Sequence, residues 1–184
     1  MVEIAKSPQL FNPIPNGCVL YLPLWHNELS GGVFSSADDF RLTCTVSGAT
    51  HVATGRDLDG SDDLITIGNI GTNIKSLSFW IDPETTSESI LEEVDDTGLA
   101  LNAGTMEYTN WDNCFVDGVD SDTVTAAWHN IIVTSTSNID MTAFRFGLVN
   151  ATFFDGIVGE ITAWTIDIGA GMAKYYYDQT NGRY

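Results

Sequence analysis

The feature that most constrains the fold is a succession of short runs of β-forming residues, separated by turn-forming Gly, Asn, Asp and Ser. The runs are rich in Val, Ile, Thr, Phe, Tyr and Trp, which favour strands. They occupy residues 18–24, 40–46, 64–68, 76–81, 89–94, 131–136, 142–148 and 160–166. Short strands at this frequency, with a turn after each, predict antiparallel sheets packed as a sandwich.

Both ends of the chain depart from this pattern. Residues 1–17 hold three of the five prolines, and proline fixes φ and removes a backbone donor, so this segment is predicted to be an extended arm. Apolar residues at helical spacing over 169–179 predict a short helix. We find no internal repeat and no linker in between, and residues 18–184 are therefore predicted to form one domain.

The charge balance limits the partners that this domain can bind. Acidic residues outnumber basic ones by 25 to 7, which gives a formal net charge of −18. Such a surface repels phosphate backbones, so no nucleic-acid partner is predicted, whereas divalent cations suit it. The N-terminal residues lack the apolar segment of a signal peptide, and no apolar run approaches the ~20 residues of a membrane span. The sequence predicts synthesis in the cytoplasm and no membrane partner.

The acidic stretch at residues 56–69 places four aspartates within seven positions. An EF-hand loop that began at Asp57 would need a glycine at position 62 and a glutamate at position 68. The chain has Asp62 and Gly68 there, which excludes that loop. Calcium-binding loops of other kinds are not excluded by this test.

Two interpretations of these aspartates stay open. In the first, Asp59 and the following glycine make a tight turn, and Asp62 and Asp63 face water before the next strand. In the second, Asp59, Asp62 and Asp63 bind Ca²⁺ together with Asp155 from another loop, because carboxylates are the ligands that Ca²⁺ prefers. Ca²⁺ is the one cofactor that the sequence suggests.

Several segments follow one another in a familiar order. They read Val-Leu-Tyr-Leu-Pro-Leu at 19–24, Leu-Asp-Gly-Ser-Asp-Asp at 58–63, Ser-Leu-Ser-Phe-Trp-Ile at 76–81, Trp-His-Asn-Ile-Ile-Val-Thr at 128–134, and then 154–156 and 159–161. In order and spacing, residues 18–184 resemble a concanavalin A-like, laminin-G-type jelly-roll domain. The resemblance implies an all-β, antiparallel two-sheet jelly-roll sandwich, to which the chain adds the N-terminal arm and the short C-terminal helix.

A narrower likeness concerns the end of the sequence. Gly-Arg-Tyr at 182–184, after a tyrosine-rich segment, resembles copies of this domain in bacteriophage and environmental viral proteins. The chain also departs from the family. Val-Asp-Gly at 116–118 precedes the Trp-His segment instead of following it, and Gly159 stands where an acidic residue often precedes Glu160. Ligand chemistry that depends on those two places is not implied for this chain.

The residue pattern predicts a protein that is not an enzyme. Jelly-roll glucanases carry three carboxylates on one strand, and here Glu93 and Asp95 would share a face while Gly98 replaces the second glutamate. The pair of carboxyl groups that glycoside hydrolysis needs is therefore incomplete. The sequence has neither Gly-x-Ser-x-Gly nor a glycine-rich loop with lysine. His129 is predicted to be structural, with its ring bonded to a backbone carbonyl.

Aromatic side chains on a lectin-like sandwich can stack on sugar rings. The candidates are Trp111, Tyr108 and Trp25, together with the tyrosines at 175–177. Trp111 lies in the polar context Thr-Asn-Trp-Asp-Asn, which predicts exposure. The other three tryptophans lie within predicted strands and are assigned to the core; they are Trp80, Trp128 and Trp164.

Two functions follow from these observations. The resemblance, the missing signal peptide and the arm favour a virion structural protein, such as a capsid decoration protein at the virion surface. Residues 1–17 would then dock on other capsid subunits, in a symmetric homo-oligomer. The alternative is a carbohydrate-binding module for adhesion to cell-surface glycans, with or without Ca²⁺.

Overall fold

A computed structural model of the chain describes residues 16–94 and 97–184. The described residues form seventeen strands and one α-helix, α1 (Gly169–Thr180). The strands are β1 (Cys18–Pro23), β2 (Val33–Ser35), β3 (Thr43–Ser47), β4 (Thr50–Val52), β5 (Gly55–Asp59), β6 (Leu64–Gly68), β7 (Ile74–Pro83), β8 (Glu88–Val94), β9 (Thr97–Asn102), β10 (Thr105–Glu107), β11 (Asn113–Val116), β12 (Val119–Asp120), β13 (His129–Ile139), β14 (Phe144–Phe146), β15 (Leu148–Val149), β16 (Thr152–Phe153) and β17 (Asp155–Trp164). The predicted arm, apart from its last two residues, lies outside this range.

Two large antiparallel sheets contain nearly all the strands. Sheet A has the order β12-β11-β13-β7-β17-β5-β4, and β1 also pairs with β17. Sheet B has the order β10-β9-β8-β14-β6-β3-β2, and β15 and β16 form a separate hairpin. This arrangement confirms the predicted antiparallel two-sheet sandwich with a short C-terminal helix. Each of the eight runs singled out in the sequence overlaps a strand.

The chain crosses repeatedly from one sheet to the other. It leaves sheet A after β5 and enters sheet B at β6, and it returns from β10 to β11. The connecting loops, residues 60–63 and 108–112, therefore lie at the rim of the sandwich, where loops of a rigid scaffold are free to bind ligands. Both loops hold residues that the sequence singled out as candidate ligands.

The core lies between the inner faces of the two sheets. Phe79 of β7 meets Phe146 of β14 with ring centroids 5.6 Å apart in an edge-to-face arrangement, which suits the quadrupoles of the two rings. Both side chains are fully buried, as are their neighbours Leu77 and Ile81. Each such side chain contributes roughly 1.5–3 kcal/mol of transfer free energy. Leu77, Phe79 and Ile81 occupy alternate positions of β7 and therefore share the face that points into the core.

The outer face of sheet A is also covered, because α1 packs on it. Trp164 of β17, Ile132 of β13 and Tyr176 of α1 form a second apolar cluster there. Trp80 is buried beside them, and Trp128 is half-buried. Trp80 and Trp164 are thus buried as predicted, but under α1 and not between the two sheets. The prediction that Trp128 belongs to the core is wrong, because it is half-buried in the loop before β13. Within the described part of the chain, no helix is both long and apolar enough to cross a membrane.

An irregularity in β17 shapes this outer face. The strand pairs with β5 over its first four residues and with β1 after that. Its register against β7 shifts between Val158 and Ile161, which is a β-bulge at Gly159 and Glu160. The Glu160 side chain lies on the outer face and is almost wholly buried there. A carboxylate in such a place needs hydrogen-bond donors around it.

Candidate functional site

The loop of residues 108–112 carries the chain from the edge of sheet B to sheet A. Asp112 fixes the loop to β13, because its carboxylate accepts bonds from the Thr136 backbone N–H (2.8 Å), the Thr136 hydroxyl (2.8 Å) and the Ser135 hydroxyl (3.3 Å). These bonds, first among them the one from the backbone of Thr136, favour the ionised form and hold the pKa of Asp112 below its usual value. The loop is therefore anchored on a long strand.

Trp111 points from this loop into the sandwich. It is 5% exposed and belongs to the main core cluster. Its indole N–H donates to the Glu93 carboxylate at 2.5 Å, and the Asn110 amide donates to the same carboxylate at 3.2 Å. The predicted exposure of Trp111 is therefore wrong: a buried acceptor on β8 satisfies the one polar atom of the ring, so the polar sequence neighbours do not keep it at the surface.

Glu93 lines a cavity of about 320 Å³. Its side chain is almost fully buried, and burial raises the pKa of Glu93 above its usual value, although the bonds from Trp111 and Asn110 oppose that shift. The remaining lining is largely polar; it comprises Val94, Thr97, Asn110, Ser137, Asn138, Ile139 and Asp140. Carboxylate, amide and hydroxyl groups thus converge on one space, as in pockets that fix a polar ligand.

A second depression also borders this loop. It has a volume of about 560 Å³, is open to solvent, and is lined by Glu107, Tyr108, Thr109 and Trp111. Tyr108 is half-buried, and burial raises the pKa of its hydroxyl. Tyr108 therefore packs against the core with part of its ring while the rest faces the depression. We call the two depressions, together with the loop that borders them, the rim site.

Trp25 is not part of the rim site. Its indole N–H donates to Glu160 at 3.3 Å, and the Arg183 guanidinium lies 5.0 Å from the centre of its ring. The ring also contacts His26 edge to face at 5.6 Å. One side of the Trp25 ring is thus occupied by a cation, and the structure does not bring Trp25 together with Tyr108 and Trp111.

The acidic turn between β5 and β6 does bring three of the predicted ligands together. Carboxylate oxygens of Asp59, Asp62 and Asp63 lie within 4.8 Å of one another. Asp59 accepts a bond from the Ser61 backbone N–H at 2.9 Å, and Asp63 accepts one from the Asp59 backbone N–H at 3.1 Å. The residues form the tight turn of the first interpretation, and Asp62 is exposed, but the prediction that Asp63 faces water is wrong because its side chain is buried. The three carboxylates have the oxygens and the spacing that a hard cation binds.

Asp155 approaches this turn from the neighbouring strand. It pairs with Asp59 in the register of β17 with β5, and its side chain lies against Gly60. Gly60 has φ +73°, and a Cβ there would lie 2.9 Å from the Asp155 side chain, so the turn requires glycine. Asp63 is buried, and desolvation raises the pKa of its carboxyl. Asp155 is thus adjacent to the three-carboxylate group, and its own carboxylate is not one of the clustered ligands.

His129 joins a chain of three polar side chains on sheet A. Its Nδ1 lies 2.8 Å from Asp117, and its Nε2 lies 2.8 Å from the Thr125 hydroxyl and 3.2 Å from the Thr125 backbone nitrogen. A backbone N–H can only donate, so Nε2 accepts and Nδ1 carries the proton. The ring therefore holds the loop before β13 in place. Its partners are Asp117 and Thr125, so the prediction that it bonds to a backbone carbonyl is wrong.

No protein-family model matches this sequence, and no curated protein matches it either. Solved structures show the same fold at low sequence identity. A mutant of Trypanosoma rangeli sialidase displaying trans-sialidase activity superposes with a TM-score of 0.63 at 11% identity, over 91% of this chain and 33% of that chain. The receptor-binding domain of botulinum neurotoxin C/D mosaic serotype gives 0.56 at 11% identity, over 91% and 52%.

A third similar structure is a domain of comparable size. Domain 4 of AbnA, an extracellular arabinanase from Geobacillus stearothermophilus, in complex with arabinotriose, gives a TM-score of 0.52 at 14% identity, over 86% of this chain and 97% of that domain. By contrast, this chain spans a third of the length of the sialidase. At these identities the similarity shows the fold alone, and it agrees with the β-sandwich that the sequence resemblance implied.

Proposed function

We propose that this domain is a non-enzymatic carbohydrate-binding module and that the rim site is where it binds glycans. The observation that carries the proposal is the rim site itself. The ring of Tyr108 lines one of its depressions, and Glu93, Asn110, Asn138 and Asp140 line the other. Sugars present apolar C–H faces and rows of hydroxyls. An aromatic ring beside planar carboxylates and amides offers a partner for each.

The anchoring of the loop supports this proposal. Asp112 bonds the loop to β13, and Trp111 is held by Glu93, so the site is formed before any ligand arrives. A preformed site loses little conformational entropy on binding. One similar structure of comparable size, domain 4 of AbnA, is in complex with arabinotriose, which agrees with the same function.

The proposal can be tested on an array of neutral, sialylated and arabinofuranosyl oligosaccharides. We expect the chain to bind at least one class, and Tyr108→Ala to weaken that binding by about tenfold, which corresponds to the loss of one stacking interaction. Tyr175→Ala is the matched control, because Tyr175 is an exposed aromatic residue of α1, away from the rim site. An array without any bound glycan, or equal losses in both variants, would contradict the proposal.

The Ca²⁺ site at Asp59, Asp62 and Asp63 stays a prediction, which thermal unfolding and the same glycan array can test. We expect a bound Ca²⁺ to raise the melting temperature, and Asp62→Asn to remove that increase, because ligation of the native state adds to its stability. Glycan binding is measured with and without a chelator. The rim site is separate from this turn, so binding through the rim site is expected to persist in the chelator.

The virion structural role also stays a prediction. It depended on the arm, and residues 1–15 lie outside the described residues. Docking on capsid subunits, location at the virion surface and homo-oligomer formation likewise stay predictions of the sequence. Light scattering on the full chain, with and without residues 1–17, tests the oligomer: a larger particle that dissociates on loss of the arm is the expected result.

A further inference from the structure

The outer face of sheet A holds a carboxylate that is closed off from solvent. Glu160 is 1% exposed and accepts hydrogen bonds from the Tyr21 hydroxyl (3.1 Å), the Trp25 indole (3.3 Å) and the Arg183 guanidinium (2.7 Å). The Tyr176 hydroxyl donates to it as well. Arg183 supplies the opposite charge in this set. A buried carboxylate is stable only with such a partner, so the position selects for a cation.

Beside Glu160, an aromatic ring is held between two tryptophans. The centre of the Tyr184 ring lies 4.4 Å from that of Trp80, with planes 23° apart, and 4.6 Å from that of Trp128. The Tyr184 ring also lies against Gly159, where a Cβ would be 2.4 Å from a ring atom. The glycine therefore leaves the room that the ring occupies. We call Trp25, Trp80, Trp128, Gly159 and Glu160 the arginine–tyrosine cleft.

The cleft and its occupant differ in how they are held. Trp80, Gly159 and Glu160 belong to the central strands β7 and β17, which pair with each other on both sides of the bulge at Gly159 and Glu160. The occupant is the short segment 181–184 that follows α1, in which Asn181 and Gly182 are exposed and a side chain at Gly182 would meet nothing within 4 Å. The segment reaches the cleft through two side chains, Arg183 and Tyr184. The cleft thus resembles a preformed peptide-binding site, and the segment 181–184 resembles its peptide ligand.

The fit is incomplete at one atom. The Tyr184 hydroxyl is buried and finds no hydrogen-bond partner among the described residues. A buried, unpaired hydroxyl weakens the attachment of the segment. The cleft therefore recognises an arginine followed by an aromatic ring, and the hydroxyl of that ring adds nothing to recognition.

We propose that the arginine–tyrosine cleft is a docking site for a second copy of this chain, whose residues 181–184 fill the cleft when the chain's own segment leaves it. Every copy carries both the cleft and the complementary segment, so the contacts made between copies repeat those made within one. Exchange of an identical element is a low-cost route to association. The site and the rim site are different surfaces, and this inference does not depend on glycan binding.

The first test opens the cleft in the full chain. The variant R183A/Y184A changes no residue of any strand and removes both side chains from the cleft. Its binding of a labelled Asn-Gly-Arg-Tyr peptide is measured by fluorescence polarisation. We expect saturable binding, a similar or tighter affinity for Asn-Gly-Arg-Phe, and a loss of about tenfold or more for Asn-Gly-Arg-Ala. Adding Gly159→Ala to the variant should block the peptide, because the new Cβ takes the place of the ring.

The second test asks whether another copy can supply the segment. Gly159→Ala in the otherwise unchanged chain displaces its own Tyr184 and leaves the segment 181–184 available, while R183A/Y184A offers an open cleft and no segment. We expect the two variants to form a one-to-one complex on mixing, seen by light scattering. The acceptor that also carries Gly159→Ala should form none.

Either of two results would overturn the proposal. A folded R183A/Y184A variant that binds no peptide would show that the cleft is not a docking site. Peptide binding without a complex between the two variants would exclude a second copy as the occupant. If the double variant does not fold, the single variant Tyr184→Ala replaces it, because it keeps the ion pair of Arg183 with Glu160. Its cleft, without the tyrosine ring, is titrated with N-acetyl-tyrosinamide. Absence of binding to this variant overturns the proposal equally.

Discussion

Glu93 and Glu160 are both about 1% exposed, yet one belongs to an open site and the other to a closed one. Glu160 accepts bonds from four side chains, three at one carboxylate oxygen and one at the other, and these side chains enclose it. Glu93 accepts bonds from two side chains and borders a cavity. Burial of a charge therefore does not by itself mark a binding site. The two carboxylates differ because Glu93 can still accept a hydrogen bond from a ligand in the adjoining cavity, whereas side chains enclose Glu160.

The strongest test of this comparison removes each carboxylate in turn. Glu160→Ala should lower the free energy of unfolding by about 3–5 kcal/mol, because it leaves the Arg183 guanidinium and three neutral donors without their common acceptor. Glu93→Ala should cost less, about 1–3 kcal/mol, since water in the cavity can replace the lost acceptor. Urea unfolding measures both. Equal losses would show that the two carboxylates do not differ in the way their surroundings indicate.

A second test separates the two aromatic residues of the rim site. Trp111→Ala should destabilise the fold by roughly 3–5 kcal/mol, because it empties a core position. Tyr108→Ala should change stability little and weaken glycan binding. Thermal unfolding and the glycan array together measure the contrast. A Trp111→Ala variant with unchanged stability would mean that the ring does not fill the core as its burial indicates.

The sequence predicted the sandwich well because the signals for strands are local. Alternating apolar residues, the turn at Asp59-Gly60 and the helix over 169–179 depend on neighbours within a few positions, and the structure has all three. The acidic turn was found for the same reason. Its aspartates are adjacent in the chain, so their grouping in space follows from one turn.

The exposure of Trp111 was predicted wrongly because its environment is not local. Its partner Glu93 lies 18 residues away on β8 of sheet B, and no sequence neighbour reveals that acceptor. Glu160 is separated from Tyr21 by 139 residues. The sequence singled it out only as the residue after Gly159, where the chain departs from the family pattern. A clue was present in both cases: each glutamate stands within a run of strand residues, where a charge must find donors from elsewhere.

The pH dependence of stability should follow from the environment of Glu93. Burial raises the pKa of Glu93 in the folded chain above its usual 4.5, so the folded state holds this proton more tightly than the unfolded state does. The stabilisation that the protonated carboxyl gives is full below pH 4.5 and is lost as the pH rises through the folded-state pKa. Compared with Glu93→Gln, the wild-type chain should therefore lose unfolding free energy as the pH is raised above 4.5.

Urea unfolding of both proteins at a series of pH values measures this difference. The difference between the two proteins removes titrations that they share, including that of Glu160, whose pKa burial also raises. A difference that stays constant from pH 4 to pH 8 would mean that Glu93 keeps its usual pKa. A difference that grows in favour of the wild type would mean that the bonds from Trp111 and Asn110 outweigh desolvation.

The smallest expected effect concerns two tyrosine hydroxyls near Glu160. The Tyr184 hydroxyl is buried without a hydrogen-bond partner in the described part of the chain, so Tyr184→Phe should raise the free energy of unfolding by about 1 kcal/mol. The Tyr176 hydroxyl contacts both Glu160 and Thr162, so Tyr176→Phe should lower it by a similar amount. Melting temperatures should move in opposite directions by roughly 2–4 °C. A shift in the same direction for both would mean that the Tyr184 hydroxyl is satisfied by water, and the closed site would then resemble the open one.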